Sequence, residues 1–173
     1  QKDKLNDLLS LITDAKQNLS NPIPIFIKIS PDLEFNELEN IVDLAHQHKL
    51  AGIIATNTST DYQILQNPRN FLKGGVSGAP LLTKSTQVLA KLSIISEGQI
   101  PLIGVGGIFS GKDAFEKICA GASAVQLYSA LTFYGPDLVY SILADLNKIL
   151  EDNGYNNISD VVGIKKYDYA ENF

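Results

Sequence analysis

Four short apolar runs, each followed by an amphipathic helical pattern, limit most sharply what this chain can fold into. The runs are residues 23–29 (Ile-Pro-Ile-Phe-Ile-Lys-Ile), 52–56 (Gly-Ile-Ile-Ala-Thr), 100–105 (Ile-Pro-Leu-Ile-Gly-Val) and 124–127 (Ala-Val-Gln-Leu). Between them, Phe35, Leu38, Ile41, Val42 and Ala45 recur at helical spacing, as do Val88, Leu89, Leu92 and Ile95, and then Ala114, Phe115 and Ile118. After the fourth run, Pro136 opens a helix whose apolar stripe is Val139, Ile142, Leu143, Leu146 and Ile149. A further helix, with Leu5, Leu8, Leu9 and Ile12 on one face, precedes the first run. Gly98 stands where a helix C-terminal cap is expected.

Short apolar runs bounded by proline and glycine suit strands of a sheet covered on both faces. Their alternation with helices predicts parallel strands joined by right-handed crossovers. Four strands cannot close an eight-stranded barrel, which takes about 250 residues. Two arrangements stay open: an open doubly wound sheet, or half of a barrel. A half-barrel alone would leave two strand edges and an apolar inner face without partners. The chain begins at Gln1 and contains no methionine, so the expectation is that further sequence, able to supply four more strands, lies upstream. Residues 165–173 form a polar tail without usable periodicity.

Composition removes several function classes. The formal charge of -5 is spread along the chain with no basic run, against a nucleic-acid surface. The longest apolar stretches are about seven residues, too short for a membrane-spanning helix. With one cysteine, Cys119, no internal disulfide framework exists; the residue reads as packed rather than reactive. His46 and His48 stand two positions apart on a helix, hence on different faces, and read as surface residues rather than a metal pair.

The chemistry gathers at the C-terminal ends of the strands, where parallel α/β folds place ligands. There stand Gly74-Gly75-Val76-Ser77-Gly78 in the long polar loop of residues 57–83, Gly104-Val105-Gly106-Gly107 at the end of the third run, and Gln126-Leu127-Tyr128-Ser129 at the end of the fourth. Ser110-Gly111-Lys112-Asp113 opens the helix after the second of these. Glycines let a backbone approach a ligand closely, and helix N-termini attract anions. One such run alone would only mark a tight turn; three at the same end of successive strands point to a phosphate-bearing ligand. Lys28 lies inside an otherwise apolar strand, on the same side as Phe26, so its charge is expected to be paired or functional. Asn57, Thr58 and Thr60 offer amide and hydroxyl groups for a polar ligand.

Five segments together resemble the dihydroorotate dehydrogenase family in order and spacing: Lys28-Ile29-Ser30-Pro31-Asp32, Thr56-Asn57-Thr58, Gly74 to Gly78, Gly104-Val105-Gly106-Gly107-Ile108, and Gln126 to Ser129. The similarity runs from about Lys2 to about Ile164. Pro80-Leu81, Ser85-Thr86 and residues 130–136 (Ala-Leu-Thr-Phe-Tyr-Gly-Pro) resemble the membrane-associated, quinone-reducing class. The resemblance implies that the chain is the C-terminal half, four β/α units, of a TIM (β/α)8 barrel that binds FMN. It implies Lys28 beside the isoalloxazine, Thr56 also on FMN, and Gly78, Gly106, Gly107, Tyr128 and Ser129 around the ribityl phosphate. Asn57 and Thr58 would hydrogen-bond the pyrimidine, dihydroorotate or orotate.

The implied reaction is oxidation of dihydroorotate to orotate in pyrimidine biosynthesis, with electrons passing through FMN to a quinone. The family's general base, a serine, would lie in the missing N-terminal half of the barrel, so no catalytic base is assigned here. The membrane-contacting helices would lie there too, placing the protein at the periphery of an inner (cytoplasmic or mitochondrial) membrane. Relatives often carry an arginine a few residues after the Thr-Asn-Thr segment; here Asp61-Tyr62-Gln63 stand instead. Two rival readings are another FMN-dependent barrel oxidoreductase, and a non-catalytic phosphate-binding half-barrel. Neither Lys28 nor Asn57 would be needed by a pure phosphate binder.

Overall fold

The computed structural model describes residues 2–65 and 74–171. Part of the 57–83 loop, residues 66–73, therefore lies outside the described residues, as do the last two positions of the polar tail. The elements alternate as their apolar periods require: α1 (Lys2–Gln17), β1 (Phe26–Ile29), α2 (Phe35–Gln47), β2 (Gly52–Ala55), α3 (Leu82–Ile95), β3 (Leu102–Val105), α4 (Gly111–Ala120), β4 (Ala124–Gln126), α5 (Ser129–Tyr134), α6 (Asp137–Asp152) and α7 (Lys166–Ala170). The four strands are parallel and lie in sequence order, β1-β2-β3-β4. Sequence order with a helix after each strand is the winding of a barrel rather than of a sheet whose order reverses.

Register explains which residues become core. Ile29, Ala55 and Gly104 stand side by side across β1, β2 and β3 and are buried. With Ile53 and Leu102 they meet Leu38, Ile41 and Val42 of α2 and Val88, Leu89 and Leu92 of α3. The other face of the sheet, carrying Phe26, Lys28, Ala124 and Gln126, is exposed. The strands are thus covered on one face among the described residues, where their apolar runs predict two. Lys28 is accordingly exposed and has no ion-pair partner among the described residues, so of the two expectations, paired or functional, the pairing is not met.

Local chemistry sets the helix ends. Glu34 and Glu37 form a reciprocal capping box at the start of α2. Ser110 accepts from the Asp113 N–H at 3.2 Å to open α4, and Gly121, at φ 126°, closes it. Pro136 precedes α6. The predicted stripe of α6 is only partly used: Ile142 and Leu146 are buried, whereas Val139 and Leu143 face solvent. Similarly, only Leu9 of the α1 stripe is buried.

Two elements and one residue depart from the sequence expectations. The short α5 follows β4 directly, inside the Gln-Leu-Tyr-Ser region. In the polar tail, α7 packs Tyr169 and Ala170 against the main core, and the Lys165 N–H donates to the Cys119 carbonyl at 3.0 Å. His48 is half-buried rather than a plain surface residue; its ring meets Asn6 Oδ1 at 2.9 Å and Thr13 Oγ1 at 3.3 Å and ties α1 to the end of α2. His46 is exposed. Cys119 is fully buried beside Ile118 and Val161, and burial pushes its thiol pKa up.

Candidate functional site

A cavity of about 260 Å³ opens at the C-terminal ends of the strands. All nine candidate positions border it: Lys28, Thr56, Asn57, Thr58, Gly78, Gly106, Gly107, Tyr128 and Ser129. Each strand contributes at or just beyond its end, as parallel pairing dictates. Lys28 of β1 faces the open side. The segment after β2 is held in place by its backbone, with the Thr56 N–H donating to the Val105 carbonyl at 3.0 Å and the Asn57 N–H to the Ile29 carbonyl at 2.7 Å. Thr56 is buried, and its hydroxyl donates to the Asn57 carbonyl at 2.9 Å. Asn57 and Thr58 are exposed toward the cavity mouth.

The glycine runs divide their labour. Gly75 presses on Thr58, where a Cβ would lie 2.0 Å from Oγ1. Val76 pairs with Ser59 through two backbone hydrogen bonds of 2.7 and 3.1 Å. Only Ser77 and Gly78 reach the cavity. Ser129 Oγ donates to Ser77 Oγ at 3.0 Å and so joins the loop after β2 to the start of α5. Gly107, at φ 78°, lies so close to α3 that a Cβ would come within 2.4 Å of Leu82 Cα. The glycine is thus required by the chain's own packing and not by ligand space alone.

The start of α4 behaves differently from the sequence expectation. Its capping groups engage one another: the Asp113 carboxylate accepts from the Phe109 N–H and from Ser110 Oγ, both at 2.9 Å, and the Asp113 N–H donates to Ser110 Oγ at 3.2 Å. A carboxylate already occupies the place an external anion would take, and residues 110–113 do not border the cavity. The anion-facing groups are instead in the preceding turn. Among the described residues the N–H groups of Gly107 and Ile108 have no protein acceptor, although both residues are buried. Buried unpaired N–H groups are rare, so this turn suits a ligand that accepts hydrogen bonds.

Thr60 likewise does not border the cavity. Its N–H and hydroxyl donate to the Asp32 carboxylate at 2.7 and 3.0 Å. Ser59 Oγ donates to the same carboxylate at 2.6 Å, and Lys84 Nζ lies 2.7 Å from it and 3.1 Å from Asp61. Burial would raise the Asp32 pKa, but the bonds from Lys84, Ser59 and Thr60 outweigh it and hold the carboxyl well below its usual range. This clamp steadies the segment that follows Thr58. Asp61, 3.1 Å from Lys84 Nζ, is part of it.

Several cavity residues carried no sequence signal of their own. Ser77 is legible only as a neighbour of glycine. Phe109 forms one apolar wall and meets Tyr134 edge-on with centroids 6.1 Å apart. Beneath the turn, Lys117 is fully buried. The missed signal was its spacing: Lys117 falls three residues after Ala114 and one before Ile118, on the apolar stripe of α4.

A model of the family described as dihydroorotate dehydrogenase matches residues 1–150. A Cereibacter sphaeroides protein named dihydroorotate dehydrogenase (quinone) is 40% identical over 168 residues, covering 97% of this chain and 48% of its own length. The Mus musculus mitochondrial dihydroorotate dehydrogenase (quinone) is 40% identical over 166 residues, with 94% and 42% covered. Two crystal structures of the Eimeria tenella enzyme, one with ferulenol and one ligand-free, align with TM-scores of 0.86 and 0.88 at 30% identity. They cover 95% of this chain and 49% and 51% of their own. The chain spans about half the length of the curated relatives it matches.

Proposed function

The chain belongs to the dihydroorotate dehydrogenase family, and from that premise we propose that it is the phosphate-binding half of an FMN-dependent (β/α)8 barrel oxidising dihydroorotate to orotate. The exposed face of the sheet and the edges of β1 and β4, unpaired among the described residues, suit four further parallel strands, which would complete the barrel. The observation that carries the proposal is the convergence of the nine named positions, from all four strand ends, on one cavity.

The donor set fits FMN. The unpaired N–H groups of Gly107 and Ile108 suit a phosphate, with Gly78, Gly106, Tyr128 and Ser129 bordering the same space. Phe109 and Leu127 provide apolar wall, as cofactor sites that fix orientation with a few polar groups require. Lys28 would hold its ammonium beside the isoalloxazine, favouring negative charge there, with Thr56 next to it. Asn57 and Thr58 would orient the pyrimidine by hydrogen bonds, while the Asp32 clamp holds the segment just behind them. When bound, the flavin supplies a two-electron acceptor that takes hydride from dihydroorotate and passes electrons onward.

Quinone is the proposed acceptor, supported by the names of the relatives in Cereibacter and mouse. Membrane contact would then be peripheral and made by segments outside this chain; no helix among the described residues is long and apolar enough to cross a membrane. The test is anaerobic spectroscopy on the full-length protein. Dihydroorotate should bleach bound FMN, and an added quinone should restore its absorbance. Bound flavin that dihydroorotate leaves oxidised would refute the substrate, and absence of flavin would refute the cofactor site.

A further inference from the structure

We propose that Lys117 is a positioning residue of the phosphate cradle: its buried ammonium, acting through the Ser85 hydroxyl, holds the Gly106 carbonyl inward and so presents the Gly107 N–H to a phosphate in the cavity. This rests on the phosphate reading of the Gly106–Gly107 turn. No part of the proposed reaction uses Lys117, yet its side chain is wholly removed from solvent. A lysine in that position is uncommon unless its charge has a task.

The geometry links it to the turn in two steps. Lys117 Nζ donates to Ser85 Oγ and to the Leu82 carbonyl, the latter at 3.4 Å. Ser85 Oγ in turn faces the carbonyl oxygens of Leu81, Leu82 and Gly106 at 2.7, 3.1 and 3.1 Å. One hydroxyl proton cannot satisfy three carbonyls. The ammonium supplies the positive charge that this cluster of oxygens lacks. A trans peptide points its C=O and N–H in opposite directions. With the Gly106 carbonyl turned toward Ser85, the N–H of the same peptide unit, that of Gly107, must point away from α3. It has no acceptor among the described residues. The fit is close enough that a Cβ on Gly106 would stand 2.8 Å from Ser85 Oγ, and one on Gly104 would stand 3.1 Å from Lys117 Cβ.

Charge state connects this device to pH. Burial pulls the Lys117 pKa down to about 7, against the pull of Glu116 and Asp113 on its own helix. Strand β3 and the turn before α3 bring no titratable group. On α3, Lys84 and Lys91 line the opposite side of the helix with Asp32 and Asp61. From α7, Tyr169 shares a small cavity with Leu82, Thr86 and Glu116, and burial pushes its pKa up to about 12, so it stays neutral. Near neutral pH, therefore, Lys117 is poised to change charge. A phosphate in the cradle favours its protonated form, and by reciprocity the protonated form favours phosphate.

The expected size follows from that linkage. A phosphate that makes Lys117 about tenfold harder to deprotonate gives a fall in phosphate-dependent affinity of about fivefold between pH 7 and pH 9. Above pH 7 a flavin phosphate, with a second pKa of about 6 as for other phosphate monoesters, is already doubly charged and contributes no slope. The experiment titrates the full-length apoprotein with FMN and with riboflavin by fluorescence quenching over this pH range, in wild type, Lys117→Met and Ser85→Ala.

Wild type should prefer FMN over riboflavin, with the preference declining as pH rises. Lys117→Met should show about a fivefold smaller preference at pH 7, with no slope and unchanged riboflavin affinity. Ser85→Ala keeps the lysine but cuts the relay, and should also lower the preference. It stands in if the methionine variant does not fold. A merely structural lysine would lower both affinities together and leave the slope intact. Wild-type preference and slope retained in either soluble variant would overturn the role of Lys117 alone. Equal affinity of wild type for FMN and riboflavin would overturn the phosphate cradle itself.

Discussion

Replacing Gly107 with alanine tests the packing of the cradle against α3 without any ligand. The residue holds φ at 78°, a conformation that costs an L-residue about 1–2 kcal/mol. The added Cβ would also fall 2.4 Å from Leu82 Cα and 2.5 Å from Leu82 N. Those are backbone atoms at the first turn of a helix and cannot rotate aside, so an overpacking cost of about 1–3 kcal/mol adds to the strain. The sum, about 2–5 kcal/mol, is a large part of the roughly 5–15 kcal/mol by which a domain is stable. For a chain of this size it corresponds to a fall in Tm of roughly 5–15 °C.

Gly98 provides the control. It has φ 72°, but nothing lies within 4 Å of where a Cβ would stand, so Gly98→Ala carries the backbone cost alone, about 1–2 kcal/mol. Both variants are to be melted as flavin-free protein by far-ultraviolet circular dichroism. A Gly107→Ala melt no lower than that of Gly98→Ala would mean the turn gives way at no cost, and the account of a cradle locked onto Leu82 would be wrong.

Three further predictions concern the surroundings of the site. Asp32→Asn should destabilise by about 1–3 kcal/mol at pH 7 through loss of charged hydrogen bonds. Because the folded carboxyl titrates below its unfolded value, that stability is complete above about pH 4 and fades as pH falls further; denaturant melts showing the same wild-type-to-variant gap at pH 7 and pH 3 would contradict this. Cys119, buried and with a raised pKa, should react with a thiol reagent at pH 8 only at the rate of unfolding; immediate labelling of native protein would show that it is reachable. His48→Ala should free α1 by removing its contacts to Asn6 and Thr13, at a cost of about 1 kcal/mol. Hydrogen exchange should then accelerate in residues 2–17 and not in α3; uniform acceleration would argue against a local anchor.

Periodicity and turn chemistry are local properties, and those parts of the molecule were legible from residue order. The four strand–helix units, the opening of α6 at Pro136 and the glycine segments at the strand ends all follow from patterns spanning a few residues. So does the convergence of Lys28, Asn57, Gly78, Gly107 and Ser129 on one end of the sheet, because parallel strands put all their C-terminal ends together. What each residue does within those segments depended on neighbours distant in sequence. Thr60 and Thr58 are two positions apart and alike in chemistry, yet Asp32, 28 residues away from Thr60, takes one as a clamp while the other borders the cavity.

Ser110 and Asp113 look like an anion site in sequence and close on each other in space. Lys117 looks like a surface residue until α3 and β3 enclose it. The strand around Lys28 looks covered on both faces, whereas the one-sided sheet leaves Lys28 exposed, and α6 buries only part of its apolar stripe. The tail has no apolar period because α7 is too short to express one, and only the main core and the cluster around Cys119 make Tyr169 a packing residue. The division has one physical cause: backbone preference and apolar period act within a turn or a strand, whereas burial, charge pairing and donor satisfaction are set by whatever the rest of the fold brings alongside.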